Sequence, residues 1–314
     1  MNNILFKIAK LLRPKQWIKN FAIFAAISFT GQLFDIPVFL KVLIGFIVFC
    51  GLSSAIYVVN DIFDIEKDRM HPFKRFRPLA HKDLSVHFAI ILAGILILFS
   101  LFLSSFVTPG FVALVVVYLG IQLMYSITLK NIEILDILTL AAGYILRVYA
   151  GETASGFHIS VWLVLTTIAL SLFIAVGKRR SELTLISHIP SINKDAIRTT
   201  LSHYSEGLLD VYASIFATAT FIFYSLFTFL ENPQGLKIGL SLFLPDFLPA
   251  SFQRKWLMIT ILPVVYGLMR YLQDIYEKHE GESPEKVLLS DIPLLTTVIV
   301  WALLVLVVIY LIGG

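Results

Sequence analysis

The sequence is short of charge. Aspartate, glutamate, lysine and arginine together make up 15% of its 314 residues, against about 25% in a soluble globular protein. That excludes an ordinary water-soluble enzyme and a disordered chain alike. It is also short of cysteine. Cys50 stands alone in an apolar run, so an intrachain disulfide is impossible and a cysteine-based zinc site is implausible. A small buried apolar residue is the expected role for Cys50. No pair of histidines at ligand spacing compensates, and zinc is not expected. Internal repeats, low-complexity tracts and a soluble domain are missing too, so residues 1–314 read as one membrane domain.

What the chain has instead is apolar surface. Apolar residues make up 58% and the mean hydropathy is +0.85. At about 20 residues per crossing this suffices for about nine membrane-spanning helices. Apolar runs fall at 18–34, 38–59, 86–107, 110–128, 132–150, 159–177, 208–230, 256–275 and 291–312. The expected fold is therefore all-α with nine spans. The fifth run contains Asp136 and Arg147 and the eighth contains Pro263, so both are expected to bend or break. Gly94, Gly110, Gly120, Gly143 and Gly151 are candidates for close helix packing. Basic residues precede the first run, but no short apolar core with a small-residue cleavage site follows, which points to an uncleaved first span.

Basic residues are few but placed on one side. Twenty of the 25 lysines and arginines fall in the N-terminal segment, in the loops after the second and sixth runs, and in the remaining loops of the same side. The excess of basic residues on the cytoplasmic face then puts the N-terminus and these loops in the cytoplasm, the C-terminus outside and the chain in the inner (plasma) membrane. Net charge is only +4, and no nucleic-acid partner is expected. Association of several copies is left open.

Topology accounts for those lysines and arginines but not for the aspartates among them. Residues 60–80 read NDIFDIEKDRMHPFKRFRPLA. If the second helix runs on past the membrane surface, Asp61, Asp64 and Asp68 share one face. Carboxylates so placed repel unless a cation lies between them, and oxygen-only ligands suit Mg²⁺. Lys67, Arg69, Lys74, Arg75 and Arg77 follow, so acid for a metal is joined to base for phosphate. The pattern is the one needed to hold a diphosphate leaving group. A solvated, charge-alternating loop is the competing reading.

Asn60, Asp61, Asp64 and Asp68, followed by Arg77-Pro78-Leu79, resemble the first signature of the UbiA superfamily of intramembrane prenyltransferases. The resemblance implies nine helices around a lipid-open cavity, with Asp61, Asp64 and Asp68 binding a diphosphate through Mg²⁺. Prenyl-transferring members carry a second aspartate-rich signature after the sixth span. Here that stretch reads GKRRSEL at 177–183, with Lys178, Arg179 and Arg180 where acids are expected, and these suit direct contact with phosphate. LRPKQWIKN at 12–20, the aspartate segment, and FIAVGKRRSEL at 173–183 with His203-Tyr204 together resemble the decaprenyl-phosphate phosphoribosyltransferase branch. One departure is Lys82, where a glycine is expected.

That branch implies transfer of 5-phosphoribose from phosphoribosyl pyrophosphate to a polyprenyl phosphate such as decaprenyl phosphate, in the direction of cell-wall biosynthesis. The site residues it implies are Asp61, Asp64 and Asp68 on the metal, with Tyr125, Lys130 and Asp136 also at the reacting centre. Gln16, Lys19, Asn60, Lys74, Arg75, Arg77, Arg147, Lys178 and Arg179 would bind substrate. Trp17 reads as an interfacial anchor, with Arg13 nearby. Three roles stand open for Asp136: a second Mg²⁺, a ribose hydroxyl, or an ion pair with Lys130. Two stand open for Arg147: an ion pair with Glu152 or contact with lipid phosphate. His71 and His203 are donor-contact candidates, and the aromatic seventh run, with Phe216, Phe221, Phe223, Tyr224, Phe227 and Phe229, either lines a polyprenyl channel or faces lipid. The rivals are a prenyltransferase moving a prenyl chain from its diphosphate to an aromatic or polar acceptor, and a transporter or flippase, which would carry its ionisable residues at mid-membrane.

Overall fold

The structure is a computed structural model describing residues 4–70, 74–188, 203–231, 255–276 and 284–312. Among these residues there are helices and no strand. His71, Lys194, Arg198, Lys237, Arg254 and Lys278 lie outside them. Five helices begin at side-chain caps. The carboxylates or hydroxyls of Asp35, Ser85, Thr108, Ser205 and Asp291 each accept from the backbone N–H three residues on, which satisfies one of the donors a helix start leaves unpaired.

After a short helix α1 (Ile4–Leu12), Arg13 takes left-handed backbone angles and Pro14 opens a 3₁₀ segment, Pro14–Phe24, continued by α2 (Ala25–Phe29). The long α3 (Ile36–Phe63) follows, then α4 (Ile65–Met70), α5 (Val86–Ser104), α6 (Pro109–Ile127), α7 (Leu135–Ser155), α8 (Val161–His188), α9 (Glu206–Leu230), α10 (Ile261–Tyr276), α11 (Pro284–Ser290) and α12 (Ile292–Leu306). Seven helical stretches among the described residues are long and apolar enough to cross a membrane. The two remaining apolar runs differ for separate reasons. The first is the 3₁₀ segment with α2. The other is α7, which has the length, but Asp136, Arg147 and Glu152 lower its hydropathy.

Helix α3 is the most enclosed, packed against the 3₁₀ segment, α5, α6 and α7. By contrast α5 turns Ile91, Ile95, Leu98 and Phe102 outward, as lipid requires. Helix α7 is unbroken from Leu135 to Ser155, contrary to the expected bend, and ends at Gly156 with φ 78°, the left-handed stop that glycine allows. The break in the eighth run falls at Thr260–Ile261, ahead of Pro263, where a 3₁₀ turn becomes α10. First and last elements meet: the Tyr310 hydroxyl donates to the carbonyls of Ile27 and Ser28 and accepts from Leu33 N–H.

Of the five glycines expected to pack closely, Gly94, Gly110 and Gly120 face open space, while Gly143 and Gly151 are tight. At Gly151 a Cβ would lie 1.8 Å from the Ile23 carbonyl oxygen, so α7 lies directly on the backbone of the 3₁₀ segment. Lys82, the position expected to be glycine, has φ 62°. The loop keeps the backbone shape that glycine favours and carries a lysine at some strain.

Two outcomes follow for stability in detergent. Gly151→Ala forces α7 and the 3₁₀ segment apart and lowers the unfolding midpoint, at a cost of about 1–3 kcal/mol. Lys82→Gly relieves left-handed strain of about 1–2 kcal/mol against a smaller gain in unfolded-chain entropy, for a net stabilisation of about 0.5–1 kcal/mol.

Candidate active site

The 3₁₀ segment explains why the N-terminal motif points where it does. With three residues per turn, side chains at i and i+3 eclipse. Arg13, Gln16 and Lys19 therefore form one stripe, and all three line one cavity. The neighbouring stripe, Trp17, Asn20 and Ile23, faces the protein. The Trp17 indole N–H donates to Ser54 Oγ at 2.9 Å, so Trp17 clasps α3 instead of anchoring at the membrane surface.

The aspartate segment does not form one uninterrupted helix. Helix α3 stops at Asp64, whose backbone turns before α4 begins, although Asp68 N–H still bonds the Asp64 carbonyl at 2.8 Å. Each carboxylate meets a cation from a distant segment. Asp61 Oδ1 receives Arg13 at 2.5 Å and Arg77 at 3.2 Å, Asp68 receives Arg77 at 2.6 Å, and Asp64 receives Lys130 at 2.7 Å. Burial pushes the Asp68 carboxyl above its ordinary range, opposed by Arg77. No group of three or more metal-ligating side chains converges among the described residues. One observation nevertheless fits a divalent cation: Asp61 Oδ2 is buried and has no hydrogen-bond partner there. With the Asn60 side chain lining the cavity beside it, these are hard oxygen donors of the kind Mg²⁺ takes, one or two protein ligands being completed by substrate phosphates.

The basic run after the sixth span is divided by helix geometry, since successive residues of α8 point about 100° apart. Lys178 lines the cavity. Arg179 is fully buried behind it, its Nε 2.6 Å from Asp136, with further bonds to Glu182 at 2.5 Å and the Tyr125 hydroxyl at 3.0 Å. Arg180 turns to Asp210 at 2.7 Å and Glu206 at 3.0 Å. Asp136 thus pairs with Arg179, not Lys130, and is held from its other oxygen by the Tyr204 hydroxyl at 2.8 Å. Tyr204 also accepts the N–H of Ile134, fixing a β-branched residue at φ 63° where α7 begins. Asp136 and Arg179 brace Tyr125 and Glu182, which do reach the cavity.

The cavity wall accordingly contains Gln16, Lys19, Asn60, Lys74, Arg77, Tyr125, Arg147 and Lys178 of the expected residues. Asp61, Asp64, Asp68 and Lys130 stand behind it as ion pairs. Arg75 lies elsewhere, over the Phe76 ring and beside Arg69 and His81. Exposed His203 sits 3.1 Å from Glu133, and Glu152 pairs with His158, leaving Arg147 to other partners. The aromatic run of α9 does not line the cavity. Tyr224 and Phe227 are buried against Thr260, Trp301 and Phe29, and Phe221 and Phe229 are exposed.

Sequence reasoning missed Tyr57, Glu182 and Glu285. Glu285 opens α11 and is buried on the cavity wall, 2.9 Å from Lys19 and bonded to Gln16. Burial acts to raise its carboxyl and the Lys19 ion pair prevails, holding it below the usual range. Its sequence context, SPEK, offers only a generic helix start, so no local signal marks it.

Breaking the rear pair tests this division of labour. Arg179→Gln strands Asp136 and Glu182 and costs about 3–5 kcal/mol of stability, read as an early unfolding midpoint. Lys178→Gln lowers that midpoint less, because Lys178 makes none of the short ion pairs that Arg179 makes with Asp136 and Glu182.

With the geometry in hand, comparison with known proteins is direct. The profile of the UbiA prenyltransferase family matches residues 20–292. The chain is 34% identical to decaprenyl-phosphate phosphoribosyltransferase of Mycolicibacterium smegmatis over 95% of its length and 91% of the relative's. It is also 34% identical to the protein of the same name from Corynebacterium glutamicum, over 98% and 88%. A solved UbiA homolog from Archaeoglobus fulgidus, bound to GPP and Mg²⁺, shares the fold with a TM-score of 0.70 at 17% identity, covering 96% of this chain and 99% of that one. The chain belongs to the UbiA prenyltransferase family.

Proposed function

We propose that this protein transfers 5-phosphoribose from phosphoribosyl pyrophosphate to a polyprenyl phosphate of the decaprenyl type, releasing pyrophosphate with the aid of Mg²⁺. The observation that carries the reading is the cavity wall. Lys178 occupies it without an ion-pair partner among the described residues, at the place where a prenyl-transferring member would bring further aspartates. The relatives' names support the same reading, since they are decaprenyl-phosphate phosphoribosyltransferases over nearly the whole chain.

In this scheme the acceptor phosphate is already anionic and no strong base is required. One of its oxygens forms a bond to ribose C1 while the C1–O bond to pyrophosphate breaks, the electron pair leaving with pyrophosphate. The protein's part is to hold two anions together and to offset the charge that develops on the leaving group. Arg13, Lys74 and Arg77 serve the diphosphate at the mouth, and Lys178 approaches from α8. Glu285 and Gln16 fix Lys19 beside them. Asp61 and Asn60, with Asp64 and Asp68 near, would hold Mg²⁺, which would supply positive charge to the departing pyrophosphate. Arg13 and Arg77 pair with Asp61 and line the cavity, so their remaining donors face the phosphate oxygens.

The same reading takes nine crossings. A 3₁₀ segment rises about 2.0 Å per residue, so Pro14–Phe24 with α2 extends about 30 Å, the thickness of a bilayer's hydrocarbon core. Adding α7 to the seven apolar stretches gives nine, with the mouth in the cytoplasm of the inner membrane.

The decisive test supplies purified protein in detergent with polyprenyl phosphate, phosphoribosyl pyrophosphate and Mg²⁺, and weighs the lipid product by mass spectrometry. The expected gain is one phosphoribosyl unit, lost with EDTA and reduced at least about 10²-fold in Asp61→Ala and Asp64→Ala. Lys178→Ala should raise the donor KM about tenfold with a smaller effect on the lipid. No phosphoribosylated lipid, with consumption of a polyprenyl diphosphate instead, would overturn the proposal in favour of prenyl transfer.

A further inference from the structure

Arg147 is charged at any pH the protein meets and is buried, with 7% of its surface exposed. It stands eleven residues beyond Asp136 on α7, about 16 Å deeper along the helix. Its guanidinium donates to Asn20 Oδ1 at 2.7 Å, the Gly143 carbonyl at 2.6 Å, the Tyr118 hydroxyl at 2.8 Å and Ser53 Oγ at 3.4 Å. The rings of Tyr118 and Tyr144 lie 5.2 and 5.8 Å away. Every one of these partners is neutral. Among the described residues no carboxylate lies within ion-pair distance of it, whereas the cations Arg13, Lys19, Arg77, Lys130 and Arg179 all have one.

A buried guanidinium with hydrogen bonds but no opposite charge is costly unless an anion completes it. Arg147 lines the cavity, as do Ser53, Tyr118 and Tyr144, so an anion can reach it. The Tyr118 hydroxyl, which accepts from the guanidinium, keeps a proton of its own to donate, whereas the Ser53 hydroxyl donates to Asn20 Oδ1 at 3.4 Å. Among the described residues no acid contacts the guanidinium, so nothing beside it there would hold a metal. The arrangement therefore suits a single phosphate held by one guanidinium and neutral donors, unlike the mouth, where carboxylates and several cations suit a metal-bound diphosphate.

We propose that Arg147, with Tyr118, forms a phosphate-monoester subsite at the deep end of the cavity, separate from the diphosphate subsite at its mouth. The phosphoribosyl-transfer reading supplies two monoesters: the 5-phosphate of the donor and the phosphate of the lipid acceptor. The inference rests on that reading only for the choice of ligands, and binding tests it without turnover.

The experiment measures thermal stabilisation of the full chain in detergent by three probes: ribose 5-phosphate, farnesyl phosphate, and inorganic pyrophosphate with Mg²⁺. Arg147→Gln is expected to lose about tenfold or more in affinity for one monoester, a change of about 1.4 kcal/mol, while keeping pyrophosphate within about twofold. Arg147→Lys should fall between. Selective loss of ribose 5-phosphate assigns the subsite to the donor, and selective loss of farnesyl phosphate assigns it to the lipid. Unchanged affinity for both monoesters, or equal loss of all three probes, overturns the proposal. If Arg147→Gln fails to fold, competition on the unaltered protein decides. A monoester that binds together with pyrophosphate supports a separate subsite, and one that displaces it, or no monoester binding at all, overturns it. Monoester binding without phosphoribosyl transfer would leave the subsite standing and remove the proposed donor.

Discussion

A carboxylate drawn to the edge of a membrane interior needs a cation close by, and the architecture of this chain follows from how that need is met. Asp61, Asp64 and Asp68 come from one short stretch, while their partners Arg13, Arg77 and Lys130 come from three others. Satisfying them pins the N-terminal segment, the loop after α4 and the turn before α7 to the end of α3. Desolvation makes leaving any of these charges alone far more costly than pairing it. The mouth of the cavity is a by-product of that pairing, with paired acids behind and the cations' remaining donors toward the interior.

This arrangement bears on how the site takes up a substrate. The acids that the proposed function assigns to a cation are engaged with Arg13, Arg77 and Lys130. In the proposed reaction a diphosphate would compete for the arginines and a cation for the acids, and any effect of one on the other's affinity would be reciprocal. The orphaned Asp61 Oδ2 would be the acid oxygen open to such a cation while the ion pairs are still closed.

Much of this was legible in the sequence. The all-helical class and the charged mouth follow from hydropathy, charge placement and the N-D-x-x-D-x-x-x-D pattern, while most of the eight expected cavity-wall residues came from the resemblance to the UbiA superfamily. What was not legible has physical causes. Periodicity assumes a uniform 3.6 residues per turn, and Pro14–Phe24 winds at three. The role of Trp17 therefore changes from surface anchor to internal clasp. A run of three cations reads as one patch, but a helix sends Lys178, Arg179 and Arg180 to three different neighbours. Glycine counts also misled: nothing in the sequence separates Gly120, which faces open space, from Gly151, which lies on a carbonyl oxygen. Glu285 acquires its place only because residues 269 apart in the chain meet.

That last contact has a consequence for biosynthesis. Lys19 and Gln16 leave the ribosome well ahead of Glu285, 269 residues separating Gln16 from it. At about 5–20 residues per second, roughly 15–50 s pass before the acid arrives. Throughout that interval Lys19 has only Gln16 and the Tyr57 hydroxyl as polar company. The early half of the protein must therefore tolerate an uncompensated lysine during insertion. Lys19 gains its carboxylate partner only once α11 has been made.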